Sequence, residues 1–410
     1  MLNDSDVLNF ISSHPSYDIR ASHNARWIDQ KCTPDVLSMI SDCIMDYCFH
    51  NPGSSFTSQD IWHSDYARDN VFAVFQKPDV NSKKAIAEYN KFFMQPMELL
   101  AYSGVLNRVK KGNQNVYSIV NKDVLEYIAI RERNAIKFLV AYIEKVLEDS
   151  GIFIAFKMFF DRQIATQFDS LKDSYTNFII NNTPINGAVE VHRIFTKVIN
   201  PLAYVRTAYG AERGHMSKDV ITFDMLMYNR KNFRDIYSAK PKDVTRKEHA
   251  SSGAMVTPSG SALTIYLINR AKKYVRQYNN DFNAGRPEYT PESGGLPGTH
   301  VHHIFPEASF PTLAYVVENL ICITPGQHLS RAHPGGNTSR IDTNYQALLL
   351  VAKADTIEQD YSMSRGFYDF DRFIEVLVTG YGDKNFATVN HLDFPVVKTM
   401  IMKYYVSGTI

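Results

Sequence analysis

Two adjacent histidines, His302 and His303, stand sixteen residues before Asn319, and His328 follows nine residues after that. Imidazole both ligates metals and takes up a proton near neutral pH, so such a set could hold a cation and activate a water. The stretch Val301-His302-His303-Ile304-Phe305 is β-branched and aromatic and stops at Pro306, which predicts a strand. Side chains alternate along a strand, so His302 and His303 point to opposite faces. Val317 to Thr324 reads as a second strand ended by Pro325-Gly326, and Gln327 to Ala332 suits a short helix carrying His328. A hairpin followed by a helix would gather His302 and His328 around one cation and leave His303 beside it as a general base. His300 shares the face of His302 and could touch phosphate or act as an extra ligand.

A phosphodiester is the substrate this chemistry suits. The attacking water must lose a proton, which a neutral imidazole accepts, and a divalent cation can neutralise the leaving 3′ oxygen. The competing reading is structural: histidines in a loop beside a core strand, which is the ordinary role of any one of them taken singly.

The same stretch, Thr299 to Pro334, resembles the HNH (ββα-metal) nuclease motif. In that family a D-H or H-H pair precedes a hydrophobic residue and usually a proline. An N-L pair lies on the second strand, and a His or Asn follows nine residues beyond the Asn. His302-His303, Asn319-Leu320 and His328 match all three spacings. The resemblance implies that His302 and His328 are metal ligands, that His303 is the general base, and that Asn319 holds the loop orienting it. Some members add a ligand one helical turn after the last His; here that position is Ala332, with His333 one residue later. Many members carry CxxC pairs holding a structural zinc, whereas this stretch has only Cys322, so no such zinc is expected.

The whole chain bounds these readings. Its 410 residues allow two or three domains, and 44% hydrophobic with 21% charged residues is a globular balance. With 44 basic and 43 acidic side chains the net charge is +1, so DNA binding would need a local basic groove. Cys32, Cys43, Cys48 and Cys322 form no zinc spacing and fit a reduced, cytoplasmic setting. No signal peptide and no membrane span are expected.

Upstream, Thr33-Pro34-Asp35 opens a helix, Thr57 to Asp60 caps a second, and a third runs through Phe92 to Tyr102. Gly104 to Ile119 then reads as a β-hairpin with a basic turn at Lys110-Lys111-Gly112-Asn113. Three helices and a basic hairpin resemble a winged-helix fold, which implies that Lys110 and Lys111 touch phosphates; otherwise those lysines are simply solvated. Residues 123–173 read as long helices, with a continuous one through Leu125 to Phe153 linking domains or supporting a dimer.

Between Val189 and Ala250, basic and aromatic residues interleave, and Gly210 and Gly214 bracket a loop before Ser217-Lys218. Arg206, Arg213, Lys218, Arg230, Lys231 and Arg234 suit phosphates and guanine edges. The block is similar to one in some restriction endonucleases; the alternative is a salt-bridged α/β surface. A helix carrying Arg270, Lys272, Lys273 and Arg276 follows, then a Gly- and Pro-rich loop to the histidine hairpin. Arg331 and Arg340 could bind phosphate after the motif. Two helices, around Asn344–Ser362 and Tyr368–Gly382, would pack over it.

The expected class is α+β, a mostly helical multidomain chain. Residues 1–125 would form a winged-helix-like DNA-binding domain, 126–280 a mixed middle domain and 281–410 the nuclease domain with its C-terminal helices. The expected function is sequence-specific cleavage of double-stranded DNA, as in type II restriction enzymes, leaving 5′ phosphate and 3′ hydroxyl ends. Mg²⁺ would be the metal in use, and two imidazoles would also accept Mn²⁺, Ni²⁺ or Zn²⁺. Cutting both strands with one site per chain implies a homodimer on a palindrome. Alternatives are a modification-dependent or nicking HNH enzyme, or a non-catalytic winged-helix regulator.

Overall fold

The computed structural model describes residues 2–75, 77, 80, 85–228, 260–332 and 342–405. Arg230, Lys231, Arg234, His333 and Arg340 lie outside them, so those expectations have no structural counterpart. The fold is mostly helical, with three two-stranded antiparallel sheets among the described residues, an α+β architecture. No helix of the described residues is long and apolar enough to cross a membrane. The chain parts into two compact units, Leu2–Ser259 and Gly260–Ile410.

In the first unit the helix Pro34–His50 is the centre, and every residue from Pro34 to Ile44 is buried. A helix apolar on all sides must be surrounded; here Lys122–Ile130, Glu132–Asp149, Asp65–Phe75 and Ala85–Tyr102 pack around it. Two of its buried polar groups find partners, as burial favours. Asp42 accepts from the Tyr66 hydroxyl at 2.6 Å, and Ser38 donates to the Ala129 carbonyl at 3.2 Å. Thr57 and Asp60 form the expected capping box on Ser58–Trp62. The expected hairpin is β1 (Leu106–Lys111) and β2 (Gln114–Ile119), with Gly112 at φ +60° in its turn.

Two expectations need correction in this unit. The long helix is interrupted at Arg131, whose backbone is extended, leaving Lys122–Ile130 and Glu132–Asp149. Asn134 holds that corner: it donates to the Tyr127 carbonyl at 2.9 Å and accepts from Arg131 Nε at 3.0 Å. Both helices pack against Pro34–His50. Secondly, the glycine-bracketed loop is a hairpin, β3 (Tyr209–Glu212) with β4 (His215–Val220). Arg213 and Gly214 both take positive φ in its tight turn.

The second unit begins with the helix Gly260–Asn283, which packs against β5 (His300–His303) and β6 (Leu320–Ile323). The strands are antiparallel, with His302 opposite Ile321 and His303 opposite Leu320. The Gly- and Pro-rich loop is pinned along β6. Glu288 N–H donates to the Cys322 carbonyl, and the Cys322 N–H donates to Glu288 Oε1, each at 2.8 Å. Gln327 Nε2 donates to the carbonyls of Tyr289 and Pro291, each at 2.9 Å. The helices Thr343–Ser362 and Phe370–Tyr381 buttress the hairpin as expected: Gln346 Nε2 donates to the Ile304 carbonyl at 2.7 Å, and Tyr381 packs edge-on against Phe305.

Candidate active site

The hairpin register settles which imidazoles meet. His300 and His302 lie on one face of β5, and His328 comes from a short π-helical turn, Gln327–Ala332, that follows β6. The ring centres of His302 and His328 are 5.2 Å apart, and those of His300 and His328 5.4 Å. Two imidazoles bound to one ion through nitrogens at about 2.0–2.1 Å, at a tetrahedral angle, place their ring centres roughly 5 Å apart. The His302–His328 pair therefore fits a shared cation. His302 is only 7% exposed and held on a strand, while His300 is exposed. As the side chains stand, no set of three or more His, Cys, Asp or Glu groups among the described residues is gathered to hold an ion.

His303 takes the opposite face and is held differently. Its Nε2 lies 2.9 Å from the Ala314 carbonyl oxygen. A carbonyl only accepts, so the proton sits on Nε2 and the lone pair on Nδ1. That is the tautomer a general base needs at Nδ1. Burial pushes the His303 pKa below the usual imidazole value, and the Lys272 ammonium adds to this; the Ala314 carbonyl and Glu307 oppose it. The ring is therefore kept neutral.

Asn319 is fully buried and ties the loop after β5 to the entry of β6. Its Oδ1 accepts from Phe305 N–H at 2.8 Å, and its Nδ2 donates to the carbonyls of Phe305 and Leu313 at 2.9 and 3.2 Å. Ala314, which holds His303, directly follows Leu313. The asparagine thus anchors the residue next to the carbonyl that holds His303.

His302, His303 and His328 open onto one cavity of about 390 Å³, which Lys272 and Glu307 also line. Neither of the latter pair was singled out for the site by sequence reasoning. Glu307 directly follows the strand-ending proline, a local signal. Lys272 is twenty-eight residues before His300 on another element, so only the docking of its helix brings it in. Burial lowers the Lys272 pKa, Glu307 raises it and Arg276 lowers it again.

The other basic residues sort less uniformly. Arg331 does not line the cavity; its guanidinium pairs with Glu292 at 2.7 Å. Arg206 is likewise engaged, paired with Glu144 at 2.5 Å and stacked over Phe160. Lys110 and Lys111 on β1, Arg213 in the β3–β4 turn and Lys218 on β4 are exposed. Comparison with family models, curated proteins and solved structures finds no match to this chain.

Proposed function

We propose that the chain is a metal-dependent phosphodiesterase of the HNH nuclease class. One observation carries the reading: His302 and His328 are spaced to share a cation while His303, on the other face of the same strand and with Nε2 on the Ala314 carbonyl, lines the same cavity. A water placed against His303 would give its proton to Nδ1 as its oxygen forms the new bond to phosphorus, and the phosphorus–O3′ bond breaks. The Ala314 carbonyl would hold the imidazolium that results, and Asn319 would keep that carbonyl in place. A divalent cation on the imidazole pair would neutralise the leaving oxygen.

Within that class, the particular activity is sequence-specific cleavage of double-stranded DNA, as by a type II restriction endonuclease acting as a homodimer. Lys110, Lys111, Arg213 and Lys218 are exposed on turns and hairpins, where they would reach phosphates; Arg206 would have to leave Glu144 first. Mg²⁺ would serve in use, with Mn²⁺, Ni²⁺ and Zn²⁺ better matched to nitrogen ligands. The test is plasmid cleavage with Mg²⁺ and with EDTA, for wild type and His303→Ala. Discrete fragments that vanish with EDTA and in the variant support the proposal; smearing restricts it to a nonspecific nuclease. An intact plasmid whose mobility shifts on binding refutes it and favours a non-catalytic regulator.

A further inference from the structure

We propose that Lys272 is the phosphate-binding cation of this site, receiving a non-bridging oxygen of the bound strand, and that Glu307 competes with that oxygen for its ammonium. The inference rests on the nuclease reading for the identity of the anion. It concerns a residue on a separate element from the histidine motif.

Four basic residues follow one another on the Gly260–Asn283 helix, and their surroundings differ. Arg270 is buried over the Tyr266 ring at 5.1 Å, and Lys273 lies over Tyr274 at 5.3 Å. Arg276 is exposed. Lys272 alone of the four lines the cavity, half-buried beside His302, His303 and His328. The helix that carries it is not free to drift. Tyr274 and Val275 are fully buried, and the helix packs against both strands of the hairpin. The ammonium is therefore delivered to a fixed place on a rigid element.

A cation in that place has lost part of its water, which is unfavourable unless an anion compensates. Glu307 is the carboxylate that lines the same cavity, and it is exposed, on the loop after β5. Its charge acts on the Lys272 ammonium without forming a close ion pair, an attraction that is weak at an exposed position. A phosphodiester entering the cavity would outcompete Glu307, since lysine suits phosphate as a compact point charge. The imidazoles add no formal charge when neutral, so among the described residues Lys272 is the one lysine or arginine lining the cavity.

The experiment uses the full chain in EDTA, with a fluorescently labelled duplex of random sequence titrated over a range of NaCl concentrations. Removing one phosphate-bound lysine lowers the slope of log K against log salt by about one. Lys272→Gln is expected to show that drop, and Lys272→Arg to keep the wild-type slope. Glu307→Gln, at an exposed position that does not endanger folding, is expected to tighten binding several-fold. A folded Lys272→Gln protein with wild-type slope and affinity overturns the proposal, as does wild type that binds no duplex. Should Lys272→Gln not fold, unchanged binding by Glu307→Gln overturns it. Plasmid cleavage by wild type and His303→Ala is read in parallel. Absence of cleavage together with a reduced slope in Lys272→Gln removes the hydrolase reading and leaves the phosphate subsite standing.

Discussion

Replacing Asn319 with alanine would test how the base is held. Its side-chain amide makes three hydrogen bonds in a fully buried place, two of them to Phe305 and one to Leu313. Each bond contributes about 1 kcal/mol net, and truncation strands one N–H and two carbonyls away from water. A loss of about 3–5 kcal/mol follows for the Gly260–Ile410 unit. At about 2–4 °C per kcal/mol for a domain of this size, its melting point should fall by roughly 6–20 °C. Hydrogen exchange reads the effect locally: the Phe305 amide should exchange about 10²- to 10³-fold faster, since 1.4 kcal/mol is a factor of ten. Asn319→Asp keeps an acceptor for Phe305 N–H but cannot donate to the two carbonyls and buries a charge, so it should be no milder. With the Ala314 carbonyl loosened, cleavage should fall about 10²-fold or more, the scale of a misplaced catalytic group. An Asn319→Ala protein with wild-type Phe305 exchange and a melting point within about 1 °C of wild type would refute the reasoning.

Three further outcomes follow from the same geometry. The proposed base, His303, would act in its neutral form and its pKa is lowered by burial, so cleavage should rise with pH and its acid limb should lie below about 6.5; a limb above 7 in the pH–rate profile contradicts this. Gly380→Ala would put a methyl carbon 2.3 Å from the Phe305 ring, next to the loop that Asn319 holds; overpacking of this kind costs about 1–3 kcal/mol, measurable by thermal denaturation. Lys353 and Glu288 form a buried ion pair at 2.6 Å, with Lys353 also donating to the Tyr368 hydroxyl. Lys353→Ala should cost about 3–5 kcal/mol by leaving the carboxylate buried, and a double Lys353→Met, Glu288→Leu variant should recover most of it in a denaturant titration.

What the residues disclosed in advance was mostly local. The Thr57–Asp60 capping box and the Leu106–Ile119 hairpin are short-range patterns, and both formed as the spacing predicts. The placement of His303 on the face opposite His302 followed from strand alternation, and that of His302 near His328 from a hairpin followed by a helical turn. The break at Arg131 was not legible, because the apolar period runs through it and the corner depends on Asn134 reaching back to Tyr127. The β3–β4 hairpin was hidden for a similar reason: Gly210 lies within a strand, where it admits Asn200 and Ile221 where a side chain would be. Arg331 and Arg206 looked available in sequence because their partners, Glu292 and Glu144, are distant along the chain. Lys272 joined the site only through tertiary docking.

In the proposed site one cation is shared by two imidazoles while a third, across the strand, meets the scissile phosphate. A crystal grown with Mn²⁺ and a short DNA duplex, measured at the manganese absorption edge, examines it directly. One anomalous peak is expected within roughly 2.0–2.3 Å of a ring nitrogen of both His302 and His328, with a phosphate against His303 Nδ1. A peak bound elsewhere, or a phosphate on the far side of the hairpin from His303, would contradict it.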